Sequence, residues 1–125
     1  MTKKEKMYQN ITKHGQNIIS LFSLPADTDP VKLSKQLFRI ENRAHCAAER
    51  WCNGEIEADD YQEIKGQVLS AVNKLLDNDG TVPVFVNSDP RGYSLKIRDD
   101  YIRDNNIRIY RDWGGYGIIA PDFND

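Results

Sequence analysis

The sequence predicts an α+β protein in which three N-terminal helices precede a small, mostly antiparallel four-stranded sheet. Three observations carry this. Apolar residues recur at three- and four-residue spacing up to about residue 79, and from Thr81 the period drops to two. Two tightly specified turns, Asp89-Pro90-Arg91-Gly92 and Gly114-Gly115, then punctuate the second part. The 125 residues suit a single domain, with a helical layer over 1–79 and a sheet over 81–123.

Thr2-Lys3-Lys4-Glu5 reads as a capping box, so the first helix starts near residue 3. Tyr8, Ile11, Gly15, Ile18 and Phe22 mark one face of it to about residue 21. Gly15 weakens that helix by about 1 kcal/mol relative to Ala, unless another backbone packs closely there. The second helix begins at Asp29-Pro30, an N-cap followed by proline at the first helical position. Leu33, Leu37, Ile40, Ala44, Ala47 and Trp51 form its stripe, with Phe38, His45 and Cys52 in a line beside it, and Asn53-Gly54 stops it. A third helix is expected from a capping box at Asp60-Tyr61-Gln62-Glu63, with Asp59 to Gln62 as an overlapping alternative, ending at Asp77-Asn78-Asp79-Gly80.

Val82, Val84 and Val86 form the first strand, with Pro83 placing its start at an edge. Tyr93, Leu95 and Ile97 return from the turn. Residues 98 to 106 hold a short helical turn with Asp99 as cap and Asn105-Asn106 as stop. Ile107 to Trp113 is read as a third strand and Tyr116 to Ala120 as a fourth, joined at Gly114-Gly115. That register sets Trp113 opposite Tyr116 and puts Arg108, Tyr110 and Asp112 on the other face.

Net charge is −2 and is spread evenly: residues 1–79 carry 11 basic and 12 acidic groups, and residues 80–125 carry 6 and 7. A strongly cationic nucleic-acid binder has a different balance. No apolar run approaches membrane-span length, and the basic start leads into an amphipathic pattern instead of a signal-peptide core, so a cytoplasmic protein without a membrane partner is expected. Cys46 and Cys52 are too few for a disulfide scaffold. His45 and Cys52 share a helix face but stand about 10 Å apart along its axis, too far to chelate one ion. His14 and His45 lie in no catalytic motif with either thiol. The sequence assigns no catalytic residue, metal ligand or cofactor.

Function-bearing side chains concentrate between Asn87 and Tyr116. Asp89, Arg91, Lys96, Asp99, Asp100 and Asp112 suggest a metal-dependent nuclease-like enzyme, but Ser94 stands where such a site places an acid two residues before the lysine. Arg91, Lys96, Arg98, Arg103, Arg108 and Arg111 interleave with Tyr93, Tyr101, Tyr110, Trp113 and Tyr116, which suits a nucleic-acid-binding sheet face. Acids at 99, 100, 104 and 112 dilute that field. Tyr, Trp and Arg also dominate protein interfaces. A non-enzymatic protein-binding module is therefore the leading expectation, with Asp89, Arg91, Tyr93, Lys96, Arg108, Tyr110, Trp113 and Tyr116 as its binding residues.

Two stretches carry a resemblance. Arg43-Ala44-His45-Cys46-Ala47-Ala48-Glu49-Arg50-Trp51-Cys52-Asn53-Gly54 is one; Val84 to Ile97, followed by Tyr110 to Asp122, is the other. They resemble short uncharacterised proteins encoded by bacteriophages and other mobile elements. The resemblance implies a context, not an activity: a small accessory protein in a bacterial host cytoplasm, with a host or phage protein as partner and host or defence machinery as target.

Overall fold

A computed structural model describes residues 1–109 and 116–121. Helix α1 spans Lys3–Leu21, α2 Pro30–Cys52, α3 Ala58–Leu75 and α4 Asp99–Asp104; strands β1, β2 and β3 are Val84–Val86, Leu95–Ile97 and Gly117–Ile118. The protein is thus α+β, with three helices before a small antiparallel sheet.

The helix starts follow local chemistry. Thr2 Oγ1 accepts from the Glu5 amide at 3.1 Å, and Asp29 Oδ1 accepts from Val31 and Lys32 at 3.0 and 3.2 Å, with Pro30 at the first position. The third helix starts earlier than either box read from the sequence. Glu57 is its N-cap, and Asp60 sits three residues in, accepting from the Glu57 amide at 3.3 Å. Asp60 is a partner in the box and not its cap. The cap of α4 is likewise Arg98, with Asp99 one residue inside the helix.

The four helix ends share one device. Ser23, Gly54, Asp77 and Asn106 each take a positive φ, and the next residue's amide reaches back to a carbonyl five positions earlier: Leu24 to Ile19, Glu55 to Arg50, Asn78 to Asn73 and Ile107 to Ile102. This is the Schellman closure. Only one of the four positions is glycine.

Among the described residues the sheet has three strands, in the order β1-β2-β3, and not the four expected. Val84 pairs with Ile97, Val86 with Leu95, and Lys96 with Ile118. Residues 107–109 are not strand. The Ile107 amide closes α4, and Ile107 and Ile109 pack sideways against the core, so this segment is occupied before it reaches a sheet edge. The expected fourth strand, shortened to two residues, takes the place beside β2. Tyr110 to Gly115 and the Gly114-Gly115 turn lie outside the described residues.

Helices and sheet share one core, in which Ile18, Leu37, Val72, Leu95, Ile97 and Ile119 are fully buried. Polar ties join α1 to its surroundings. Ser34 Oγ donates to the Ile11 carbonyl at 3.2 Å, and buried His14 Nε2 bonds the Ile119 carbonyl. Burial holds His14 below its usual pKa, against the opposing effect of that bond. A smaller cluster of Ala47, Ala48 and Tyr61 lies against Trp51, whose ring stacks on Tyr61 at 4.8 Å.

Candidate functional site

The link from β1 to β2 is shaped by its own side chains. Asn87 Oδ1 accepts from the Asp89 amide at 3.4 Å, and Asp89 Oδ1 accepts from the Arg91 amide at 3.0 Å, giving two overlapping Asx turns. The Asn87 amide donates to the Ser94 carbonyl at 2.7 Å and extends the ladder past Val86. The Arg91 guanidinium then folds back on Asp89, with Nε at 3.0 and 3.2 Å from the carboxylate oxygens and Nη2 at 2.8 Å.

Two helices hold this link from either side. From α3, Tyr61 Oη donates to Ser88 Oγ at 3.0 Å, and Lys65 Nζ reaches the same oxygen at 3.4 Å. From α2, the buried Glu41 carboxylate accepts from the Ser94 amide at 2.9 Å to each oxygen, and from Leu95 at 3.4 and 3.2 Å. Burial raises the Glu41 pKa above its usual value; the two amides, the Ser94 side chain and nearby His45 oppose that rise. Glu41 is thereby the clamp that sets the turn against α2.

Between α2 and the turn lies a hollow of about 310 Å³, lined by Phe38, Glu41, Asn42 and His45 on the helix and by Pro90, Arg91, Gly92 and Tyr93 opposite. Phe38 is 42% exposed. His45 Nε2 lies 2.6 Å from Glu49 Oε1, one helical turn on. The two resembling stretches, far apart in the chain, meet here through His45 and residues 90–93.

Of the eight residues singled out from sequence, the six that are described do not all lie together. Asp89, Arg91 and Tyr93 belong to the turn. Lys96 is buried on the sheet face opposite the core residues Leu95 and Ile97, with Nζ 5.5 Å from the Tyr116 ring centre. Tyr116 also meets Phe85 edge to face at 5.4 Å. Arg108 borders a different hollow, with Asn17, Ser20 and Asn106. Tyr110 and Trp113 lie outside the described residues. Among the other cations, Arg98 is 3.5 Å from Asp100 and Arg103 is 3.5 Å from Asp104. Cys46 and Cys52 are exposed thiols, and among the described residues no three His, Cys, Asp or Glu side chains are grouped to hold a metal ion.

Sequence reading missed Glu41, Asn42 and Phe38 as site residues. A signal for Glu41 existed. It stands four residues after Leu37 and three before Ala44, so it interrupts a buried helix face with a carboxylate. Such a group needs partners, and only the fold supplies them.

The Asp89–Arg91 pair makes a testable prediction. The Arg91 side chain and amide hold the Asp89 carboxyl at about 2, below its ordinary 3.8. A depressed folded value means that the pair's contribution is complete above the ordinary range and is lost as pH falls through about 2. In Arg91→Ala the Asp89 midpoint should return toward 3.8, read from its carboxyl resonance during an NMR titration. An unmoved midpoint would assign the depression to the backbone amide and the Lys96 charge.

No family model, no curated protein and no solved structure matches this chain.

Proposed function

We propose that this chain is a small, non-enzymatic protein-binding module, an accessory protein of a phage or mobile element, acting in the bacterial host cytoplasm on host or defence machinery. Its contact surface is centred on the hollow between α2 and the 89–93 turn. The observation that carries the reading is the partly exposed Phe38 ring beside Pro90, Gly92 and Tyr93, set in a frame that Glu41 holds rigid. An exposed ring at a preformed hollow is the arrangement on which interface anchors depend. The resemblance of residues 43–54 and 84–97 supplies the setting.

Nucleic acid is the weaker reading. Phosphate binding draws on uncompensated cations. Here Arg91, Arg98 and Arg103 each stand beside an acid, and Lys96 is buried under Tyr116. The enzyme reading needs Asp89, Lys96 and Asp112 together; the Asp89 carboxylate is engaged by the Arg91 guanidinium, and Asp112 lies outside the described residues.

The test is affinity capture from bacterial lysate, with and without nuclease, using the wild-type chain, Phe38→Ala and Arg91→Ala. The Arg91 side chain is 88% exposed, so its removal should leave the melting temperature nearly unchanged. A nuclease-resistant protein recovered by the wild type and lost with Phe38→Ala is the expected result. Recovery of nucleic acid alone, weakening steeply with salt, would sink the reading.

A further inference from the structure

Building on the binding-module reading, we infer that the exposed face of α2 docks an acidic segment of the protein partner, one that presents a carboxylate about every helical turn.

Charge is segregated in this chain. Helix α2 carries five basic residues, Lys32, Lys35, Arg39, Arg43 and Arg50, against the two acids Glu41 and Glu49. It is therefore +3, and the other residues, with 12 basic and 17 acidic groups, are −5. Neither acid of α2 offsets its cations. Glu41 is turned inward to the Ser94 and Leu95 amides, and Glu49 lies beside His45.

Helical spacing turns part of this charge into a ridge. Lys35, Arg39 and Arg43 recur every four residues and are all exposed, about 6 Å apart along the axis and spanning about 12 Å. Arg43 donates to Gln67 Oε1, a neutral partner that leaves its charge in place. That bond, with Ala47 and Ala48 packed on Tyr61, sets α2 and α3 antiparallel. Lys74, two turns after Gln67 on the same face of α3, comes level with Gln36 and adds a fourth exposed cation. Among the described residues none of the four makes an ion pair.

The ends of the ridge select the partner. At one end Asp27, Asp29 and Asp77 surround a hollow with Lys32. At the other, Glu63 lies one turn before Gln67, and Glu55 and Glu57 follow Arg50 at the close of α2. A nucleic acid carries phosphates without interruption, about one per 3.4 Å of axis on each strand, and would run over these acids. A short acidic stretch of protein ends where the ridge ends. Carboxylates four residues apart on a helix repeat at the same rise of about 6 Å. The forked donors of Arg39 and Arg43 match a carboxylate's two oxygens.

The experiment titrates the isotope-labelled full chain by NMR, at low ionic strength, with a capped alanine-based helical peptide bearing glutamate at every fourth position. The same peptide with glutamine in those positions and a short DNA duplex are run in parallel. The expected result is saturable shifts confined to residues around 35–43 and 67–74 for the glutamate peptide, with a dissociation constant on the order of millimolar that rises with salt. The glutamine peptide should bind at least about tenfold more weakly. Arg39→Glu should weaken the glutamate peptide by about tenfold or more, whereas Lys13→Glu, the same charge change on the solvent face of α1, should cost about twofold at most. Melting curves establish that both variants are folded, and the two peptides on the wild type decide the matter if either is not. Equal binding of the two peptides, no saturable shifts, or tighter binding of the duplex at these residues would overturn the inference. A nuclease-resistant protein captured in a Phe38-dependent way alongside any of those results would leave the binding-module reading standing and reject only the acidic partner.

Discussion

Glu41→Ala should lower stability by about 3 kcal/mol, the larger of the two strongest expected effects. It leaves the Ser94 and Leu95 amides buried without their acceptor, and each such loss costs about 1–3 kcal/mol. For a chain of this size that is a fall in melting temperature of roughly 10 °C. Glu41→Gln keeps the shape and one carbonyl oxygen but turns an NH2 group toward the amides, so its loss should be intermediate. A change below about 0.5 kcal/mol in Glu41→Ala, by chemical denaturation, would show that the clamp contributes nothing.

The same residue sets a pH dependence. Burial raises its folded pKa above the ordinary value. A raised folded value contributes stability that is complete below the unfolded pKa and is lost as pH rises through the folded one. The wild type should therefore lose stability relative to Glu41→Gln as pH climbs through and above the ordinary carboxylate range. The difference between the two denaturation curves isolates this group, because other titrating residues are common to both. A flat difference would mean that the carboxylate is as well solvated folded as unfolded.

Gly15→Ala should destabilise by about 2 kcal/mol, against the direction that helix propensity dictates. In an isolated helix the change gains about 1 kcal/mol. Here an added Cβ would stand 2.3 Å from the Pro30 carbonyl oxygen and 2.8 Å from its carbonyl carbon. Backbone atoms cannot rotate away as a side-chain tip can, so α1 and the start of α2 must separate, and overpacking of this kind costs about 1–3 kcal/mol, whose upper end exceeds the propensity gain by about 2 kcal/mol. Gly66 in α3 is the internal control. Among the described residues a Cβ there meets nothing within 4 Å, so Gly66→Ala should stabilise by up to about 1 kcal/mol. Thermal melts of the two variants should move in opposite directions. A rise in both would mean that the α1–α2 contact tolerates a methyl group.

The helices were legible because their ends are local events. Thr2, Asp29, Gly54 and Asn106 each act within five residues, through a cap or a left-handed turn. The third helix start was misplaced because Glu57, Asp59 and Asp60 offer competing boxes, and burial of Tyr61 against Ala47 and Ala48 accompanies the earliest of them. The 89–93 turn was legible for the same reason, since Asp89, Arg91 and their shared hydrogen bonds are neighbours. Its use was not. Phe38 read as a side line on α2 until the turn was set opposite it.

By itself, the sequence determined the α+β class, the spans of α1 and α2, and a turn at residues 89–92. These depend on φ preferences, caps and periodicity within a few residues. The tertiary structure alone decided which segment joins β2, why Gly15 must be glycine, and where the hollow lies. Glu41 and Ser94 are separated by 53 positions. Whether a buried carboxylate on one helix finds two amides on a distant strand depends on how those elements pack, which no local pattern records.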